Sequence, residues 1–158
     1  MLWLASSRNT EESTTRTPSA QHLVATLKQQ LGPRHHELIA DLFERITLWS
    51  FEIQAAKKEP RPDGSWRTTL TLNADKFEAD AKGAERQRPL DQAVPVSVYD
   101  SDPTETAARR FETVSVALRS GTQTVSFVTK MEPQYLRVNP SRALAQRNVS
   151  KTTIAVVP

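Results

Sequence analysis

The chain contains no cysteine. That excludes disulfides, thiolate metal sites and a cysteine nucleophile, without fixing a compartment. Glycine is scarce, with four in 158 residues. No glycine-rich phosphate loop is present, and no serine sits in a G-x-S-x-G elbow. No apolar run reaches the roughly 18 to 20 residues that a membrane helix needs. Met1–Ala5 is apolar, but it is too short for a signal-peptide core and no basic residue precedes it. An excess of one charge is also missing: 21 Lys and Arg face 18 Asp and Glu, for a net charge of +3. Without a basic run to track a phosphate backbone, no nucleic-acid partner is expected. Aromatic content is 6% and hydrophobic content 37%, lean but enough for one core.

What is present is organised around His36–Ile53. Up to Ile46 the apolar residues recur every three or four positions, at Leu38, Ile39, Leu42, Phe43 and Ile46. That spacing predicts an amphipathic helix. From Thr47 the period drops to two. Trp49, Phe51, Ile53 and Ala55 point one way, with Ser50, Glu52 and Gln54 opposite. A helix therefore delivers the chain directly into a strand.

The polar stretch that fills most of residues 1–16 reads as a tail. Thr17 is a cap and Pro18 a first helical residue, opening a helix with its stripe at Leu23, Val24, Leu27 and Leu31. Gly32-Pro33 joins it to the second helix. At this length neither helix stands alone, so the stripes of this hairpin, 17–46, should bury against each other or a sheet.

From residue 47 to 158 the pattern is strand and turn. Thr47–Ala56 and Trp66–Ala74 form a hairpin around the turn Pro62-Asp63-Gly64. Lys76–Ala84 is ambiguous, with Phe77 and Ala79 inward if it is a strand. Val94, Val96 and Val98 mark a strand that Pro95 places at an edge or bulge. Phe111–Leu118 and Thr122–Thr129 read as a hairpin turning at Ser120-Gly121. Tyr135–Val138 is a short strand, Ser141–Asn148 a loop or helical turn, and Val149–Val157 a last strand. About seven strands without intervening helices predict a mainly β fold, an antiparallel immunoglobulin-like β-sandwich preceded by a short helical hairpin. A barrel is the rival.

Candidate chemistry is thin. His36-Glu37 begins like the zinc motif H-E-x-x-H, in which two histidines one helical turn apart bind the metal. The second histidine position is Ala40, so the site fails and Glu37 reads as a helix-start charge. Asp100-Ser101-Asp102 lacks the spaced ligands and glycine of a calcium loop. Trp49, Phe51, Trp66, Phe111 and Phe127 lie on alternating strand faces with few basic residues interleaved on the same face. They read as core and not as a base-stacking platform. Arg109 and Arg110 read as solvated.

T-P-S-A-Q-H-L at Thr17–Leu23 and E-L-I-A-D-L-F-E-R-I-T-L-W at Glu37–Trp49 resemble the end of the catalytic region in bacterial gluzincin (aminopeptidase-N type) proteins, which are found fused to ABC-type permease subunits. In that family a helix pair is followed by a β-rich C-terminal domain. W-x-x-T-L-T-L at Trp66–Leu72, P-L-D at Pro89–Asp91 and V-x-V-Y-D at Val96–Asp100 fit it. V-N-P…R-N-V over Val138–Val149 resembles the family's D-P…D-R-N-x-x-N segment, with Asn139 in place of Asp and no second Asn. The resemblance runs from Thr17 to the C-terminus. The family's zinc motif, glutamate ligand and catalytic tyrosine belong to a region upstream and match no residue here.

The resemblance implies a non-catalytic accessory domain of a membrane-associated zinc aminopeptidase-like protein. It would use no metal or cofactor and would not insert into the membrane itself. Its partner would be the parent's peptidase-like domain or permease subunit. The alternative is a free-standing β-sandwich that binds a peptide or protein along an exposed edge at Val94–Tyr99. The interaction residues expected on these two readings are Leu38 and Leu42 on the hairpin, and Val94 and Val96 on the edge.

Overall fold

The computed structural model describes residues 19–158. The expected tail over 1–16 and the Thr17-Pro18 helix start lie outside them. Two compact units divide between Phe43 and Glu44.

In the first unit, helix α1 spans Ala20–Leu31, capped by Ser19, whose hydroxyl accepts the His22 N–H at 3.4 Å. Gly32 ends it at φ 75°, a conformation that favours glycine. Pro33 then opens a 3-10 turn, Pro33–His35, leading into helix α2, His36–Phe43. The His36 Nε2 donates to the Lys28 carbonyl at 3.0 Å, tying the two helices together. The α2 boundary falls three residues short of Ile46, which belongs to the next strand. The expected burial of both stripes is corrected for α1. None of its residues is buried, and Leu23 and Leu31 remain 51% and 49% exposed. In α2, Ile39, Ala40 and Asp41 are buried.

The second unit is a mainly β, antiparallel sandwich. Its strands are β1 Ile46–Pro60, β2 Trp66–Ala79, β3 Glu85–Arg88, β4 Asp91–Tyr99, β5 Arg110–Arg119, β6 Gly121–Thr129, β7 Tyr135–Val138 and β8 Thr153–Ala155. One sheet is built on β2, with β1 along one side and β6 and β3 sharing the other. The second sheet runs β5-β4-β7-β8. Among the described residues β5 and β6 do not pair with one another, so the two sheets form a sandwich and not a closed barrel.

The period-2 residues become the core. Trp49, Phe51, Leu70, Leu72 and Ala74 from the first sheet are buried, as are Val94, Val96, Val98, Leu118, Leu136 and Val138 from the second. The Trp49 Nε1–H donates to Gln92 Oε1 at 3.2 Å, giving the indole a polar partner inside the core.

The pairing with β2 slips between Ile53 and Ala55, leaving Gln54 as an extra, bulged residue. The alternation therefore restarts. Ala56 and Lys58 point inward in place of Ala55. Strand β2 runs unbroken to Ala79, and Lys76, not Phe77, continues its inward face.

Two further expectations are corrected. Phe111–Leu118 and Thr122–Thr129 are not partners: β5 pairs with β4 over nine positions, and β6 with β2 over nine. Gly121, at φ 94°, carries the chain from one sheet to the other. Strand β4 is not an edge, since β5 and β7 flank it. Pro95 is tolerated because its last β7 neighbour is the pair Val96–Val138; beyond it, Asn139 turns away while donating to the Pro95 carbonyl at 2.8 Å. The pairing with β5 does bulge, between Val98 and Tyr99.

The C-terminal segment lies along the free side of β1. Trp49 N–H to Ala145 O at 2.8 Å, Arg147 N–H to Trp49 O at 2.9 Å, Ile53 N–H to Lys151 O at 2.9 Å and Lys58 N–H to Val157 O at 2.8 Å fasten it. The Arg147 guanidinium lies 4.3 Å over the Phe77 ring and 3.1 Å from Glu85.

Candidate functional site

The four expected interaction residues separate sharply. Leu42 is 40% exposed on α2 and Leu38 is half-buried. Val94 and Val96 are fully buried on a central strand. A strand flanked on both sides has no backbone groups to offer a peptide. The edge expected at Val94–Tyr99 is taken by β7 over Val96–Tyr99, and the Asn139 N–H takes the Pro95 carbonyl.

The helical unit presents apolar surface instead. The spacing of Leu23 and Leu31, eight residues apart, puts them on one side of α1. Both are about half exposed. Leu42 and Phe43 at the end of α2 are exposed as well, Phe43 at 54%. A 12-residue helix is marginal in water on propensity alone. Large apolar residues held in water at helical spacing mark a surface suited to a partner.

The polar candidates are spent within the structure. The His36 ring is occupied by the Lys28 carbonyl. Asp102 Oδ1 accepts from the Thr104 N–H at 2.9 Å and hydroxyl at 2.7 Å. These bonds hold its carboxyl below the usual range. Asp100 accepts from the Arg109 backbone N–H at 2.8 Å and its Nε at 3.3 Å, which lowers it likewise. Both carboxylates shape the turns that carry them. Among the described residues, no three His, Asp or Glu side chains converge as a metal site.

Among the described residues, one surface depression of about 270 Å³ lies beside Asp100, Arg109 and Phe111, and another of about 410 Å³ beside Glu78, Asp80 and Arg86. Glu78 binds Arg86 at 2.9 Å and Arg88 at 3.3 Å. The Arg86 guanidinium, with Arg88 and Arg45 behind it, keeps that carboxyl low. Neither depression offers an unspent acid paired with a base, as proton-transfer chemistry requires.

Buried Lys58 is one charge that sequence reasoning missed. Its ammonium meets Glu132 at 2.8 Å and the Pro133 carbonyl and Gln134 Oε1 at 3.2 Å each. Three acceptors for three protons make it a structural anchor. Only the Gln54 bulge turns it inward, and no periodicity signals a bulge.

The sheet edges differ in protection. The outer side of β1 is covered by the C-terminal segment. Strand β3 is short and charged (E-R-Q-R), β8 has three residues, and β5 carries Arg110, Glu112 and Arg119. Strand β6, G-T-Q-T-V-S-F-V-T, has nine residues, no charge and no proline. Among the described residues its backbone pairs with β2 alone.

Comparison with protein-family models, with curated proteins and with solved structures finds no match.

Proposed function

We propose that this chain is a non-catalytic protein-docking module. In that reading it is the accessory domain of a membrane-associated zinc aminopeptidase-like protein fused to an ABC-type permease, packing through its helical hairpin. The observation that carries the reading is the apolar stripe of α1, in which Leu23 and Leu31 are each about half exposed among the described residues. The sequence likeness over Glu37–Trp49 supplies the identity of the partner. The polar groups already engaged in turns and ion pairs support a role without chemistry. The alternative of a peptide reader along Val94–Tyr99 loses its site, because that strand is central.

The test uses the full chain as bait on membranes from its own source. The control is the Leu23→Asp/Leu31→Asp variant, whose changes fall on exposed positions and whose folding is checked by circular dichroism. Wild type is expected to recover a metallopeptidase or permease polypeptide that the variant loses. Equal recovery by both chains would remove the hairpin as the docking surface. Zinc-dependent peptidase activity in the purified chain would overturn the non-catalytic role.

A further inference from the structure

We infer that β6 is a homodimerisation edge, pairing antiparallel with β6 of a second copy across a two-fold axis. This rests on the sandwich alone and is independent of the hairpin reading.

The first observation is the contrast among edges. Natural sheets protect long edges with charge, proline, shortness or a covering segment. Among the described residues, each of the other edge strands named above has one of these devices, and β6 has none. A nine-residue strand whose backbone is paired on one side only, among the described residues, is a template for another strand.

The second observation is what β6 places beside itself. On the outer face, Thr69 and Ser126 lie 3.1 Å apart across the β2–β6 pair, and Thr71 and Thr124 lie 3.0 Å apart. The strand already satisfies hydroxyls against hydroxyls on this face. Opposed residues in an antiparallel pair share a face. A two-fold through the middle of the strand, at Val125, therefore sets Thr124 opposite the partner's Ser126, twice. Thr122 falls opposite the partner's Val128, a residue 46% exposed in the single copy. The hydroxyl ladder continues across the axis at its two central pairs, and the outer pairs set the Thr122 methyl against Val128. With no charge anywhere in β6, no like charges meet within the paired strands. A second copy fits better than an arbitrary peptide because the strand complements itself in this register.

Sedimentation of the full chain should show a reversible monomer–dimer equilibrium with a dissociation constant tighter than about 1 mM. Thr124→Lys/Ser126→Lys places like charges opposite one another and should weaken it at least about tenfold; Thr124→Glu/Ser126→Glu should do the same. Mixing the two variants should restore a heterodimer. A cysteine-free background gives a second measurement that needs no charge. Under mild oxidation, Thr124→Cys chains mixed with Ser126→Cys chains should cross-link faster than either alone. A monomeric wild type at millimolar concentration overturns the proposal, including one that binds an added extended peptide. So does a dimer unchanged in both charge variants, or cross-linking no faster in the mixture.

Discussion

Trp49 shows how one side chain can be placed from sequence and still hold a surprise. Its position in the T-L-W-S-F alternation places it inward, and it is 1% exposed. The bond to Gln92 was not legible, because the partner lies 43 residues away on another sheet. Trp49→Ala should cost about 3 to 5 kcal/mol in urea unfolding, and a loss below about 1 kcal/mol would refute its place in the core. Thr68 is the opposite case. Alternation also puts it inward, but its Oγ1 is buried with no hydrogen-bond partner among the described residues. Thr68→Val keeps the shape and removes the unpaired oxygen. It should leave stability unchanged or raise it by up to about 1 kcal/mol, and a clear loss would reveal a hidden partner. The interaction residues divide on similar grounds. Leu42 could be read from helical spacing. Val94 and Val96 could be read as inward but not as central, because Pro95 pointed to an edge and its missing N–H falls just where β7 ends.

At the scale of the element, period is visible in sequence and pairing is not. The alternating residues of β5 and β6 fix their faces, yet nothing in Ser120-Gly121 says that the chain changes sheets there. Strand β3 was missed because E-R-Q-R carries no apolar rhythm; it exists by pairing with the end of β2. In β1 the bulge resets parity, so Ala55 was misplaced and Lys58 overlooked. Two deletions separate the extra residue from the rest. Removing Gln54 joins Ile53 to Ala55 in regular register, keeps Lys58 inward and should cost about 1 kcal/mol. Removing Lys57 shifts every later residue by one, turns Lys58 out of its acceptors and should cost more than about 3 kcal/mol. Thermal or urea melts of the two variants decide; equal losses would contradict the bulge.

Across the whole β unit, closure depends on residues far apart in the chain. The C-terminal segment supplies the hydrogen bonds that β1 would otherwise lack on its outer side, and Arg147 clamps it to Phe77 and Glu85. The R-N-V segment stood out in the sequence only by resemblance, since its mechanical role depends on a ring and a carboxylate from other strands. Arg147→Glu removes the ring contact and opposes Glu85. It should cost about 1 to 2 kcal/mol, with added salt recovering part of the loss; amide exchange at Ile53 and Lys58 should quicken first, and unchanged exchange there would show that the clamp is idle. That late strap also sets an order of events. Glu52 and the Lys151 that binds it are 99 residues apart. A ribosome adding about 5 to 20 residues per second takes roughly 5 to 20 s to cover that distance. For that interval a nascent β1–β2 hairpin lacks the hydrogen bonds that residues 145–157 later bring to its outer flank, and a bare flank of that kind is a template for pairing with another chain.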